Sequence, residues 1–270
     1  MATDGISPGF LLPIGTLWWR ELVRFYRQRS RVLGALGTPL VFWLLVGSGI
    51  GSSFRPLGGH QPSGYLEYFF PGTIILILLF TSIFSTMSVI EDRHEGFLLS
   101  VLVAPISRTS LVLGKVLGGT TLALLQGLIF MLLAPTVGLA LRPVQALSLA
   151  AVLFLIAFGL TGLGFFLAWR LDSVQGFHAV ANLLLIPLWV LSGALFPPSG
   201  ASPWVRRVMQ ANPLTYCMAA VRRLLYLDTA SLGAEVPSLE LSLLVIIAFA
   251  AVCLVAAFAE ARRPLSRSLR

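Results

Sequence analysis

Charged residues are scarce in this sequence of 270 residues. They account for 11% of the chain and hydrophobic residues for 57%, whereas a soluble domain carries about 25% charged residues. This shortage excludes an ordinary soluble domain. Several apolar runs reach the length that crosses a bilayer, about 20 residues, so the sequence predicts an integral membrane protein.

Cysteine and histidine are also rare. The two cysteines, Cys217 and Cys253, lie far apart in apolar surroundings, which excludes a disulfide framework and the short spacings of cysteine metal sites. The three histidines, His60, His94 and His178, are predicted to lie in different loops. Membrane-embedded proteases, acyltransferases and metalloenzymes need clustered catalytic or metal-binding side chains. We therefore expect neither a metal site nor enzymatic activity.

A phosphate-binding loop is missing as well. The pattern GxxxxGK[ST] does not occur, because Val116 follows Gly114 and Lys115, and Thr109 stands where the first glycine belongs. Without that glycine and the hydroxyl, the backbone does not cradle phosphates and Mg²⁺. We expect this chain neither to hydrolyse ATP nor to hold another cofactor by itself.

Six apolar runs predict six transmembrane helices and hence an all-α membrane fold. They cover residues 33–51, 68–90, 111–139, 146–169, 179–196 and 239–259. Ionisable residues are nearly absent from them, since Glu67, Lys115 and Glu260 are expected at or near edges. No proton relay of an ion-coupled transporter is visible, and sodium coordination by backbone carbonyls stays open.

The distribution of basic residues indicates the orientation in the membrane. An even number of spans puts both chain termini on one side. The formal net charge is +8, and most of the 19 basic residues fall on the inside when the N-terminus is placed there. The positive-inside rule therefore predicts that both termini are cytoplasmic. This asymmetry accounts for the net charge, and we expect no nucleic-acid partner.

A helix is predicted ahead of the first span, over residues 18–31. At 100° per residue, Trp18, Trp19 and other apolar side chains cover one face. The opposite face carries Arg20, Arg24, Arg27 and Arg31. Such a helix lies in the membrane interface and favours anionic lipid headgroups. A disordered basic tail is the alternative.

The segment from residue 197 to residue 238 is the one long outer loop. Within it, residues 213–228 carry apolar side chains at helical spacing, which predicts a helix on or in the outer leaflet. Arg222 and Arg223 near its end allow two interpretations, anchoring to phosphate headgroups or contact with an anionic part of a lipid-like substrate. The sequence leaves three roles open for the loop: a lid, an anchor or a binding surface.

The stretch EDRHEGFLLSVLVAPISR, residues 91–108, joins the second and third spans and is therefore cytoplasmic. Glu91 and Glu95 lie on its polar side. Its apolar face consists of Phe97, Leu98, Val101 and Leu102. Pro105 lacks an amide hydrogen and ends the helix. The pattern predicts one short amphipathic helix over residues 91–102, which a soluble partner can bind while its apolar face rests on the bundle.

The same stretch resembles the hallmark of the type-2 ATP-binding cassette (ABC-2) export permeases. The matching residues are Glu91, Arg93, Glu95, Gly96, Phe97, Leu98, Leu102, Val103, Pro105, Ile106, Ser107, Arg108, Leu113, Gly114 and Lys115. An NPLTY-like element at residues 212–216 and the order of the helices extend the resemblance over nearly the whole chain. Where many members have an acid after the glycine, this chain reads FLLS.

The resemblance implies a single permease domain over residues 1–270, located in the cell (inner) membrane. It implies export of a hydrophobic or amphiphilic substrate, such as a drug, a lipid or a lipid-linked glycan, and the motif is closest to the drug-efflux branch. ATP and magnesium are expected on a separate ATPase subunit. A second copy of this chain is expected, because one chain offers only half of a two-fold pathway. A polysaccharide export permease of the same family, a passive channel, an ion-coupled secondary transporter and a structural or scaffold membrane subunit are the alternatives.

The resemblance also implies roles for particular residues. The ATPase-coupling residues are Glu91, Arg93, Glu95, Gly96, Phe97, Leu98, Val101, Leu102, Pro105 and Arg108. The N-terminal helix, expected to touch both lipid and the ATPase, contributes Trp18, Trp19, Arg20, Arg24 and Arg27. The outer-loop helices, expected to shape the exit, contribute Asn212, Pro213, Tyr216, Arg222 and Arg223.

Overall fold

The computed structural model describes residues 8–51, 64–104, 106–226 and 236–263. Within these ranges the chain forms eleven α-helices and no β-strand. The helices are α1 Pro8–Arg27, α2 Arg29–Ile50, α3 Tyr65–Ser85, α4 Ser88–His94, α5 Phe97–Val103, α6 Arg108–Met131, α7 Pro143–Arg170, α8 Val174–Trp189, α9 Pro203–Ala211, α10 Pro213–Leu225 and α11 Leu239–Ala261.

Six helical stretches are long and apolar enough to cross a membrane. They are Val32–Ile50, Tyr65–His94, Arg108–Met131, Pro143–Arg170, Val174–Ala194 and Leu239–Ala261. The all-α fold with six spans is thereby confirmed. The short helices α9 and α10 precede the last span, as the sequence predicts for the outer loop.

Two span boundaries differ from the prediction. The third run was predicted too long, since α6 ends at Met131 and a 3-10 turn, Ala134–Val137, follows it. Pro135 in that turn has no amide hydrogen with which to continue an α-helix. The fifth run was predicted to begin too late, because α8 starts at Val174. His178 therefore lies within a helix and not in a loop, whereas His60 is outside the described residues.

The N-terminal helix also has other limits than predicted. Helix α1 ends at Arg27, because Gln28 leaves the helical region with φ −93° and ψ 80°. Helix α2 then begins at Arg29, so that Arg31 belongs to α2 and not to the N-terminal helix.

Helix α1 packs lengthwise on the first half of α6, where two glycines leave room for it. A Cβ on Gly114 would lie 2.7 Å from the Cβ of Leu17, and one on Gly118 would lie 2.7 Å from the Cβ of Glu21. The two glycines form a GxxxG spacing, which permits close approach of two helices in a membrane. This contact fixes Glu21 directly against α6.

The stretch of residues 91–103 forms two helices, and the prediction of one continuous helix over residues 91–102 is wrong. Helix α4 ends at His94 and α5 begins at Phe97. Between them Gly96 has a φ of 76°, in the left-handed region that favours glycine. The chain therefore turns between Glu95 and Phe97. Pro105, predicted to end the helix, lies outside the described residues.

The core of the bundle is built on α3, α6 and α7. Phe70 of α3 stacks on Phe130 of α6 with ring centroids 5.1 Å apart. Helix α7 packs closely on α11, because a Cβ on Gly159 would lie 3.0 Å from the Cα of Ala250. Helices α2 and α8 lie at the periphery and expose many apolar side chains.

Candidate functional site

Asp92 of α4 is the centre of a group of buried charges. Its side chain is 0% exposed. Arg20 of α1 donates to both carboxylate oxygens, at 2.9 Å and 2.7 Å, and Arg24 donates to Oδ1 at 2.7 Å. Such bidentate arginine–carboxylate pairs are strong and fix geometry. Two turns of α1 are therefore bound to one side chain of α4.

Lys115 of α6 completes this group. It is the single lysine in the sequence, and it is 3% exposed. Its ammonium donates to Oε1 of Glu21 at 2.7 Å, to Oγ of Ser88 at 3.1 Å and to Oδ2 of Asp92. Each of the three ammonium hydrogens thus has an acceptor.

We call this group the charged cluster; it consists of Arg20, Glu21, Arg24, Glu91, Asp92 and Lys115. Arg24 also pairs with Glu91 at 2.8 Å, so three cations face three carboxylates. A buried pair offsets its desolvation cost only when it is fully matched in this way. Burial lowers the pKa of Arg20, but its hydrogen bonds to Asp92 and the charge of Asp92 outweigh burial and raise the pKa above its ordinary value. Arg20 therefore stays charged.

Helix α5 lies directly beneath the charged cluster. The guanidinium of Arg20 lies 3.7 Å from the ring centroid of Phe97, a cation–π contact. Leu98 and Val101 are buried against the bundle, whereas Leu99 and Val103 point away from it and Val103 is 86% exposed. Helix α5 is thus amphipathic, with an apolar strip left on its outer side. The side chain of Leu102 lies outside the described residues.

Arg93 connects α4 to the end of α7. It donates to the carbonyl oxygens of Trp169 at 2.8 Å and Leu171 at 3.3 Å, and it pairs with Asp172 at 3.0 Å. The last carbonyls of a helix lack partners within the helix and carry partial negative charge, so a cation is favourable there. His94 contacts the backbone oxygen of Asp172 at 2.9 Å.

Arg108 ties the start of α6 to the last span. Its guanidinium donates to the carbonyl of Ala261, at the end of α11, at 2.8 Å. Glu95 is exposed and lies 3.4 Å from Arg24. Through these bonds the segment of α4 and α5 contacts α1, α6 and α7, while Arg108 joins α6 to α11 at the same end of the bundle.

The structure corrects the expectation that Arg20 and Arg24 face lipid headgroups. Both point into the protein and bind Asp92, because a fully buried carboxylate is costly unless it is paired and hydrogen-bonded. Trp18 donates through Nε1 to Thr121 of α6 at 3.0 Å. Trp19 and Arg27 are exposed. Fewer of the predicted interfacial residues of α1 are therefore available to contact lipid than the sequence predicted.

Arg222 and Arg223, which were predicted to lie in the outer loop, also turn inward. The headgroup interpretation of Arg222 is wrong. Arg222 is buried, donates to the carbonyl of Gly193 at 2.8 Å and lies 4.4 Å from the ring centroid of Tyr68. Gly193 has a φ of 85° in a π-turn, Val190–Ala194, that ends α8. Arg223 donates to the carbonyls of Pro237 and Val236 at 2.5 Å and 2.6 Å.

The NPLTY-like element begins α10. Asn212 caps this helix by accepting from the amide of Leu214 at 3.0 Å, and it donates to the carbonyl of Leu188 at 2.6 Å. Pro213 occupies the first helical position, where no amide donor is needed. Tyr216 donates to the carbonyl of Gln210 at 2.9 Å. These residues brace the C-terminal end of α8 against α10.

Sequence reasoning placed Lys115 at a span edge and missed that it is buried with Glu21 and Asp92. The sequence did contain a signal. The single lysine stands inside an apolar run, next to Gly114 and three residues before Gly118, and a lysine is unusual there. The partners come from parts of the chain 94 and 23 residues away, and hydropathy carries no information about such pairs.

A bundle of six apolar helices with the charged cluster at one end is the architecture of a multi-pass membrane protein. The chain matches the family model described as ABC-2 type transporter over residues 13–226. It belongs to the ABC-2 type transporter family. It is a multi-pass membrane protein and a permease rather than an enzyme, and permeases of this family work with an ABC ATPase partner.

Curated relatives carry permease names as well. The chain is 29% identical over 216 residues to a putative transport permease, ycf38, of Cyanophora paradoxa, covering 79% of this chain and 74% of the relative. It is 26% identical over 250 residues to nodulation protein J of Neorhizobium galegae, covering 90% of each. It is 20% identical over 210 residues to the daunorubicin resistance ABC transporter permease protein DrrB1 of Streptomyces coeruleorubidus, covering 77% and 73%.

Proposed function

We propose that this permease exports a hydrophobic or amphiphilic substrate from the cytoplasm, using ATP that a separate ATPase subunit hydrolyses with magnesium. The observation that carries the proposal is the charged cluster, which binds α4 to α1 and α6 and contacts α5 through Arg20 and Phe97. A segment attached so firmly to several helices transmits a displacement to all of them.

The contact surface for the ATPase is the outer side of α5 with the end of α4. Leu99 and Val103 supply an exposed apolar strip, and Glu95 supplies an exposed carboxylate beside it. An amphipathic helix of this kind fits an apolar groove on its partner. Because Arg20 covers Phe97 from above, movement of α5 acts on α1 as well.

The substrate path is proposed along an apolar cavity of about 780 Å³ between α2, α3 and α8. Phe42, Phe80 and Trp189 line it, and Thr81 and His178 add polar groups. A cavity with aromatic walls and few polar groups suits an amphiphile. The printed name of one relative, a daunorubicin resistance permease, agrees with such a substrate.

The charged-cluster end of the bundle is proposed to face the cytoplasm, with both termini on that side and the chain in the cell (inner) membrane. The excess of basic residues on that side supports this orientation. A second copy of the chain is proposed to complete the pathway, and lipid is proposed to surround the exposed apolar helices. These placements predict that the ATPase binds next to α5 and not next to α9 or α10.

The test is transport in proteoliposomes that contain the permease and its ATPase. A fluorescent cationic amphiphile should move only when ATP is supplied, and an ATPase subunit that binds but does not hydrolyse ATP should abolish movement. Transport that continues without ATP would instead indicate a passive channel, and transport that follows a proton or sodium gradient would indicate secondary transport.

Two matched substitutions test whether the cavity is the substrate path. Phe42 lines the cavity, whereas Phe154 of α7 is comparably exposed and does not line it. Phe42→Ala should raise the substrate concentration needed for half-maximal transport, and Phe154→Ala should not. Equal effects of the two substitutions would contradict the proposed path.

A further inference from the structure

We propose that the hydroxyl oxygen of Thr81 accepts a hydrogen bond from the transported amphiphile, and that Gln126 positions this hydroxyl. The permease thereby selects amphiphiles that carry an O–H or N–H donor. The proposal rests on the proposed function, because it takes the apolar cavity as the substrate path, and it names the chemistry of the substrate that this cavity accepts.

Thr81 of α3 lies in the wall of the cavity. It stands near the middle of the 30-residue stretch Tyr65–His94, which is long and apolar enough to cross a membrane. Among the lining residues of this cavity in the described part of the chain, none is an aspartate, glutamate, lysine or arginine. Hydrogen bonds to uncharged side chains, rather than ion pairs, therefore decide which polar group of a substrate this wall accepts.

The hydroxyl hydrogen of Thr81 is used within the protein. It is donated to Oε1 of Gln126 on α6 at 2.6 Å. Other threonines in the spans donate to the carbonyl four residues earlier in their own helix, as is common; they are Thr73, Thr120, Thr121 and Thr161. Thr81 is instead held by a side chain of another helix. Because its hydrogen is committed, its oxygen has lone pairs that accept and no hydrogen left to donate.

Gln126 has no other role in the described part of the protein that would explain a carboxamide. The residue is buried, and its Nε2 has no hydrogen-bond partner there. A buried amide without a partner is costly, and an apolar side chain of similar size fills the same space without that cost. The hydrogen bond that Gln126 accepts from Thr81 is therefore the feature that the glutamine supplies.

The apolar body of an amphiphile also finds a place beside Thr81. Leu76 and Phe80 line the cavity from the same helix, and Phe42 and Trp189 line it from α2 and α8. In such surroundings a donor without an acceptor is costly, because little water is present to replace the missing bond. A substrate that buries a hydroxyl or an amine in the cavity therefore gains from the oxygen of Thr81.

Two fluorescent cationic amphiphiles of equal charge and chain length test the proposal. One ends in a hydroxyl and the other in its methyl ether, which keeps the acceptor and lacks the donor. Thr81→Val removes the hydroxyl at nearly constant volume. Thr73→Val is the matched control, because Thr73 is buried in the same helix and does not line the cavity.

Transport is measured in proteoliposomes that contain the permease and its ATPase. We expect Thr81→Val to raise the half-maximal concentration of the alcohol about fivefold, which corresponds to about 1 kcal/mol, and to leave that of the ether unchanged. Thr81→Ser keeps the hydroxyl and should behave like the unmodified chain, and Thr73→Val should change neither value. An equal loss for alcohol and ether in Thr81→Val, or no loss for either, would overturn the role of Thr81.

The positioning role of Gln126 is tested by combining substitutions. Gln126→Met should raise the half-maximal concentration of the alcohol but not that of the ether, and it should add nothing in a chain that already carries Thr81→Val, because Gln126 acts through Thr81. Equal effects of Gln126→Met with and without the hydroxyl of Thr81 would overturn this role.

Equilibrium binding of the same two probes to the permease–ATPase complex in detergent, read from fluorescence anisotropy, repeats the comparison without transport. Binding of the alcohol that weakens selectively in Thr81→Val, without ATP-driven transport of either probe by the unmodified chain, would overturn the proposed function and support the site at Thr81. ATP-driven transport of both probes without a selective effect would overturn the site and support the function. Binding of neither probe would overturn both.

Discussion

Glu21 of α1 and Lys115 of α6 meet at 2.7 Å in a buried ion pair, although 94 residues separate them in the chain. The pair forms where Gly118 lets α1 approach α6 closely. Asp92 of α4 binds the same ammonium. The N-terminal helix is therefore part of the structure that holds α4 and α5, and it should move with them.

Replacement of Asp92 should destabilise the protein strongly. Asp92→Asn leaves Arg20, Arg24 and Lys115 without the carboxylate they share, and removing one partner of a buried pair costs about 3–5 kcal/mol. Thermal unfolding in detergent measures the loss. Asp172→Asn is the control, because the pair of Asp172 with Arg93 is exposed on the carboxylate side and such pairs contribute about 0–1 kcal/mol. Similar shifts in both variants would contradict the buried cluster.

The amine of Lys115 should resist chemical labelling. It is the single lysine, so that the N-terminal amine is the other site for an amine-reactive ester. Burial and three hydrogen bonds should leave Lys115 unlabelled in the folded protein, as read by peptide mass spectrometry. Unfolding in detergent should restore labelling. Rapid labelling of the native protein at Lys115 would show that the cluster is open to water.

Gly96→Val should disrupt the junction of α4 and α5. The φ of 76° at this position is strained for a β-branched residue, at a cost of about 1–3 kcal/mol. We expect less ATPase to co-purify and weaker stimulation of ATP hydrolysis. Gly37→Val is the control, because Gly37 is helical and a Cβ there meets no atom within 4 Å. Unchanged co-purification and stimulation in Gly96→Val would place the ATPase contact elsewhere.

Arg222→Met should loosen the turn at the C-terminal end of α8. The variant loses the donor to the Gly193 carbonyl and the contact with the Tyr68 ring, and a hydrogen bond to a charged group contributes about 1.5–3 kcal/mol. The melting temperature should fall. Arg206→Met, at an exposed arginine that donates to Ser199 at 3.2 Å, should change it little. If both variants melt alike, the inward role of Arg222 is wrong.

The six spans and the amphipathic character of α5 followed from the sequence, because length, hydropathy and helical periodicity are local properties. The buried charges did not follow. Lys115 looks like a residue at a span edge until packing brings Glu21 of α1 and Asp92 of α4 against it. Arg222 looks like an outer-leaflet cation until α10 folds it against Tyr68. In both cases the position of the charged side chain depends on partners that lie far away in the sequence.

The breaks at Gly96 and Gly193 were missed for a different reason. A glycine permits a positive φ without requiring it, so the turn between α4 and α5 and the π-turn after α8 depend on tertiary contacts. Arg93 holds α4 to the end of α7, and Tyr68 and Arg222 both donate to the Gly193 carbonyl. These contacts select the bent backbone.

The most direct test of coupling through the charged cluster is the amount of substrate transported per ATP hydrolysed in proteoliposomes, compared between the unmodified permease and Lys115→Met. Methionine fills similar space without a charge, so Asp92 keeps its arginines while Glu21 loses Lys115. We expect the ATPase to co-purify and to hydrolyse ATP. The amount transported per ATP should fall about tenfold, which corresponds to a loss of about 1.4 kcal/mol in the free energy that couples hydrolysis to transport. An unchanged ratio of transport to hydrolysis in Lys115→Met would contradict the account.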